Sequence, residues 1–117
     1  MLEEPLFDSS VFRGLCSELG NEDAAEVLQA FLADTPCKMA IMMSDVTDRP
    51  SVKRAAHSIK SSAATFGFSR LSALARELEA GIEGMSAPQL HDCVGTLCEA
   101  FEQTAEFARA SLLQPAY

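Results

Sequence analysis

The sequence predicts an all-α fold: an antiparallel four-helix bundle with a short additional N-terminal helix. Three observations lead there. Apolar residues recur at three- and four-residue steps through most of the chain, the mark of helices that each bury one stripe. Six Gly and five Pro in 117 residues, with almost no β-branched runs, leave too few turns and strand formers for a β-sandwich or barrel. Short connections between long amphipathic segments favour antiparallel neighbours. The hydrophobic fraction of 48% is enough for a core, and the 22% charged fraction argues against intrinsic disorder.

The elements follow in order. Asp8 or Ser9 can cap a short first helix carrying Val11, Phe12, Leu15 and Leu19, and Gly20 stops it. A second helix starts near Asn21, where Glu22, Asp23 and Glu26 suit its positive end. Its stripe comprises Val27, Leu28, Phe31, Leu32, Thr35, Met39, Met42, Met43 and Val46. The phase survives Pro36, so the spacing predicts one long helix kinked at Pro36, with two shorter helices as the alternative. After the break at Asp48-Arg49, Pro50 fits the first turn of a third helix whose inward face is Val52, Ala55, Ala56, Ile59, Ala63 and Phe66. Gly67 suits its left-handed end. Ser69 can cap a fourth helix burying Leu71, Leu74, Ala75, Leu78 and Ile82. Gly84 to Ser86 is a loop, and Pro88 opens a fifth helix with Leu90, Val94, Leu97, Phe101, Ala105, Ala108 and Leu112 inward. The tail around Pro115 is expected to fray. The expectation is one domain over residues 1–117, with the bundle core at about 21–112.

Charge narrows the function. A net charge of −8 disfavours nucleic acid and anionic membrane surfaces as partners. Residues 1–5 lack the basic start and apolar run of a secretory signal, and the longest apolar stretch, Met39 to Met43, is too short to span a bilayer. Cys16, Cys37, Cys93 and Cys98 show no zinc-ribbon spacing. The expectation is a cytoplasmic protein with reduced thiols, free-standing because it begins at Met1, although the chain could be cut from a hybrid kinase.

The cations are not spread evenly. Arg49, Lys53, Arg54, Lys60, Arg70 and Arg76 are six of the nine Lys and Arg residues, and no Asp or Glu interrupts them. A basic island on an acidic body suits an anionic ligand or an acidic partner surface; a chance cluster on a solvated helix pair is the bland alternative. His57 lies inside the island. With about 100° per residue, Lys53, His57, Lys60, Ser61 and Ala64 share one flank of the third helix. Small Ser61 and Ala64 leave the ring approachable. A neutral imidazole can accept a phosphoryl group, and Lys60 can neutralise its oxygens; a surface histidine between lysines is the competing reading. If the helix hairpin turns near Phe68, Glu79 is level with His57 and can hold one ring nitrogen as N–H, or instead face solvent.

These residues resemble a known family. His57-Ser58-Ile59-Lys60-Ser61-Ser62-Ala63-Ala64-Thr65-Phe66-Gly67 is similar to the signature of histidine-containing phosphotransfer (HPt) domains. That signature runs His, any residue, apolar, Lys, Gly, two small residues, two variable positions, apolar, Gly. Leu71, Leu74 and Leu78-Glu79 match its continuation, and length and helix order agree over essentially the whole chain. The resemblance implies that His57 is phosphorylated on Nε2, that Lys60 stabilises the phosphate and that Gly67 ends the motif helix. Ser61 stands where the family usually has Gly, and Glu79 where many relatives have Gln.

The family carries phosphate between receiver-domain aspartates of a hybrid sensor kinase and a response regulator, without an ATP site of its own; no phosphate-binding glycine loop occurs in this sequence. Mg²⁺ would come from the partner receiver's acidic pocket. Lys53, Ser61, Ala64 and Phe68, with Val11, Phe12 and Leu15 of the first helix, are the candidate docking residues, and a monomer is the default. A helical adapter that binds a partner without carrying phosphate is the alternative, but it would be expected to lose His57 or Lys60. His91, Cys93 and Cys98 do not share one helix face, so no metal site is expected. A hydrolase using Ser62 or Thr65 has no Asp or Glu within the local motif to orient a histidine relay.

Overall fold

The computed structural model describes residues 4–113. It contains α1 (Ser9–Leu19), α2 (Asn21–Ser44), α3 (Arg49–Phe66), α4 (Ser69–Gly81), a single 3₁₀ turn (Ile82–Gly84) and α5 (Ala87–Ser111), with no strand among the described residues. α3 packs on α4, α4 on α5, α5 on α2 and α2 on α3, which closes the four-helix bundle. α1 lies outside this ring, against α2 and α3.

Local chemistry sets the boundaries. Asp8 caps α1 by accepting from the Ser10 N–H, and Gly20 ends it at a φ of +86°. α2 runs through Pro36 without interruption, so the chain forms the one long helix expected rather than two shorter ones. Its buried residues Ala24, Leu28, Phe31, Leu32, Thr35, Met39 and Met42 form one arc. Val27 and Met43, expected in the core, are both 42% exposed, because they sit at the two edges of that arc. The Thr35 hydroxyl is satisfied by donating to the Phe31 carbonyl one turn back.

α3 buries the six residues expected of it, Val52, Ala55, Ala56, Ile59, Ala63 and Phe66. It ends in a Schellman motif: Phe68 N–H donates to Ala63 O at 2.9 Å and Gly67 N–H to Ala64 O at 3.2 Å, with Gly67 left-handed at a φ of +84°. α4 starts without a side-chain cap, and Ser69 is its first residue rather than its cap. Leu74, expected to be buried, is half-buried. Ser86 and Gln89 form a reciprocal capping box at the start of α5, the Ser-x-x-Gln spacing that the expectation built on Pro88 passed over. α5 adds Ala100 and Thr104 to its expected buried face, while Leu112 is half-buried. The tail around Pro115 lies outside the described residues.

All seven phenylalanines join one connected ring cluster at the α3–α4 turn. Phe31 touches Phe66, Phe68 and Phe101, and Phe7 touches Phe12, Phe68 and Phe107, with centroids 4.9 to 6.1 Å apart. The segment before α1 is tied down there as well, since Asp8 N–H donates to Gly67 O at 2.7 Å.

Candidate functional site

α3 and α4 are joined by two residues, and their cross-links run outward from that turn. Ser72 Oγ donates to Lys60 O, His57 meets Glu79, and Arg49 reaches the Ile82 and Met85 carbonyls. Such pairing requires antiparallel helices and places Glu79 beside His57, the register expected from equal distances to the turn.

The centre of the site is one carboxylate shared by two donors. His57 Nδ1–H donates to Glu79 Oε2 at 2.6 Å, and Lys60 Nζ donates to Glu79 Oε1 at 2.6 Å. The Lys60 hydrogen bond, followed by the hydrogen bond and charge of His57, holds the Glu79 carboxyl below the usual range against the opposing pull of burial. The group is therefore ionised at neutral pH and accepts only. A carboxylate on Nδ1 fixes the proton there and leaves the Nε2 lone pair unbonded. The side chains differ in access: His57 is 61% exposed, Lys60 29% and Glu79 19%. The His57 ring faces outward, while the groups that hold it are largely covered.

Lys53, Ser61 and Ala64 are all exposed along the same side of α3 as His57. Lys53 lies 3.9 Å from Glu83. Beside His57, Pro50, Lys53, Arg54 and Glu79 line a shallow open groove of about 580 Å³. On the other flank, a cleft of about 350 Å³ between α1, α2 and α3 has an apolar floor of Leu15, Leu19, Val27 and Phe31, edged by Ser58, Ser62 and Thr65. Val11 is exposed, and Phe12 and Leu15 are half-buried, so the α1 residues proposed for docking do reach the surface.

Phe68 does not. It is 0% exposed and sits among Phe7, Phe31 and Phe66. The expectation that it contacts a partner is corrected: the Schellman turn directs its ring into the core.

Gly67 carries more than a helix end. A Cβ there would lie 2.5 Å from the Asp8 carbonyl oxygen and 3.1 Å from Val11 Cβ. Glycine is required both by the positive φ and by the close passage of the chain entering α1.

Two participants were not singled out from the sequence. Arg49 sat in the basic island but two turns before His57, and its partners are backbone carbonyls, which leave no side-chain signal. Ser72 Oγ donates to Lys60 O at 3.0 Å. Among the described residues, no group of three or more His, Cys, Asp or Glu is placed to hold a metal ion. His91 has the exposed Asp92 carboxylate 4.0 Å away. No helix among the described residues is long and apolar enough to cross a membrane.

A family model described as Hpt domain matches residues 20–114. No curated protein and no solved structure matches the chain.

Proposed function

From the chain's membership of the Hpt domain family, which places it in histidine phosphotransfer within phosphorelays, we propose that His57 is the phosphoryl carrier between receiver-domain aspartates of a hybrid sensor kinase and a response regulator. The observation that carries this reading is the shared carboxylate: Glu79 binds Nδ1–H of an exposed ring and leaves Nε2 without a hydrogen bond.

The chemistry follows from that arrangement. The Nε2 lone pair attacks the phosphorus of a receiver's aspartyl phosphate, the N–P bond forms, and the P–O bond to the aspartate breaks, returning a carboxylate. Because Nδ1 keeps its proton, the ring gains positive character as Nε2 bonds phosphorus. The Glu79 carboxylate meets that charge at 2.6 Å. Lys60, held beside His57 by the same carboxylate, supplies a cation for the phosphoryl oxygens. Donation to a second receiver is the reverse of this step. In this reading Mg²⁺ comes with the receiver, whose acidic pocket faces the basic island. Lys53, Ser61 and Ala64, with Val11, Phe12 and Leu15, form the docking surface. Ser61, one turn from His57, replaces the backbone-only surface of a glycine with a hydroxyl that can donate to the phosphoryl group.

The test is phosphotransfer from a panel of labelled receiver domains to the wild type and to His57→Gln. Label that reaches the wild type, is acid-labile and base-stable, and is absent from the variant is the expected result. Receivers that bind while the whole panel fails to transfer label would overturn the carrier reading in favour of an adapter.

A further inference from the structure

We propose that Arg49 is a positioning residue for the phosphoryl-accepting site, acting through the end of α4 to hold Glu79 in register with His57. The inference rests on His57 as the acceptor and adds a residue to that site's support.

α4 ends at Gly81 and runs into the 3₁₀ turn Ile82–Gly84. A helix end leaves carbonyls without intrahelical donors and carries a partial negative charge. Helices commonly meet this with a basic residue in their own last turn, and α4 has none. Arg49, from the first turn of α3, takes that place. Its half-buried guanidinium donates through Nη1 to Ile82 O and through Nη2 to Met85 O, the second at 2.8 Å. Ile82 O also receives the Met85 N–H at 3.3 Å, and the Ile82 side chain is fully buried. A planar fork that spans two carbonyls fixes position as well as charge, which a single ammonium cannot do.

Glu79 precedes Ile82 by three residues, about 4.5 Å along a helix axis. On its other side, Ser72 Oγ holds Lys60 O at 3.0 Å. The carboxylate therefore lies between two cross-helix anchors. Both of its own contacts are 2.6 Å long, and hydrogen bonds of this kind weaken once the heavy atoms part beyond about 3.2 Å. A slip of α4 by a small fraction of a turn would break one or both. Arg49, Lys53, His57 and Lys60 fall at successive turns on one side of α3, and each pairs with the segment from Glu79 to Met85. Arg49 is the member whose partners are backbone, so it sets where the others' partners stand.

The measurable consequence is the tautomer of His57. In the unphosphorylated protein labelled with ¹⁵N-histidine, long-range ¹H–¹⁵N correlation, recorded where the ring signals no longer change with pH, reads Nδ1–H against Nε2–H directly. The wild type is expected to be mainly Nδ1–H. Arg49→Met should lower the Nδ1–H to Nε2–H ratio by roughly fivefold or more, since the charge-assisted bond that favours it loses its geometry. Arg49→Gln, which can reach one carbonyl, should lower it by about twofold. His91, exposed on α5 beside Asp92, is the internal reference and should not move. A purely structural Arg49 would lower the melting temperature and leave the ratio unchanged, and that outcome in Arg49→Met overturns the proposal. If Arg49→Met does not fold, a wild-type ratio in Arg49→Gln overturns it. No phosphodonor enters the measurement, so its failure and a failure of phosphotransfer are told apart.

Discussion

Replacing Gly67 with alanine should destabilise the protein by about 3 kcal/mol, and the structure divides that cost into parts. A non-glycine residue in the left-handed region costs about 1–2 kcal/mol, and Gly67 has a φ of +84°. The new Cβ would meet the Asp8 carbonyl oxygen at 2.5 Å, well inside ordinary contact. Relieving that overlap moves the segment entering α1 and gives up the 2.7 Å bond from Asp8 N–H to Gly67 O, a further ~0.5–1.5 kcal/mol before any repacking of Phe7. For a chain of this length about 3 kcal/mol corresponds to a fall in Tm of roughly 12 °C. Urea and thermal unfolding followed by far-UV circular dichroism measure it. Gly20, at a φ of +86° and a ψ of 155°, has nothing within 4 Å of an added Cβ, so Gly20→Ala should cost only its own backbone strain, about 1–3 kcal/mol. Gly95, inside α5 with nothing within 4 Å, should gain about 0.5–1 kcal/mol as alanine. A Gly67→Ala cost no larger than the ~1–2 kcal/mol of left-handed backbone alone would refute the crowding argument. Gly67 is ten residues, about 15 Å of helix, from His57. Folded Gly67→Ala should therefore still accept label within about twofold of the wild type.

Glu79→Gln should slow label acceptance by about tenfold, because a neutral amide no longer meets the charge developing on the ring; an unchanged rate would remove Glu79 from the chemistry. The folded-state pKa of Glu79 lies below its ordinary value of 4.5, so its stabilisation is present above that value and is lost as pH falls through the depressed one. The urea midpoint of Glu79→Gln should accordingly vary less steeply than the wild type's below about pH 5, and parallel curves would contradict the shared-carboxylate geometry. Phe68→Ala should cost about 3–5 kcal/mol as a core truncation. At a temperature where the variant is folded, its receiver affinity should be unchanged; weaker binding at full stability would return Phe68 to the interface.

The helices and the centre of the site were legible because both are written in periodicity. The α3 face from Val52 to Phe66 follows helical steps without exception, and equal distances from the turn brought Glu79 to His57. Features that depend on a neighbouring element were not legible. Val27 and Met43 are apolar and in phase, yet they lie just outside the arc that the neighbours cover. Phe68, an apolar residue flanking the His57 helix, was a docking candidate, but the Schellman geometry turns it inward. Arg49 was visible as charge, although its carbonyl partners lie 33 and 36 residues away and carry no sequence mark. The Ser86–Gln89 box is local and is written in its Ser-x-x-Gln spacing.

α1 contains no buried residue, although Phe12 and Leu15 pack against the core from its edge. A helix with so little covered apolar surface opens at a free energy far below that of the whole domain. Its amides should therefore exchange with solvent long before those of α3, giving the molecule a fast and a slow population of hydrogens. α1 also walls the cleft that reaches Ser58 and Ser62 on the His57 helix. A receiver seated there would have to slow exchange across α1, so the hydrogens of the least protected helix would register occupancy of the site without any label on phosphate.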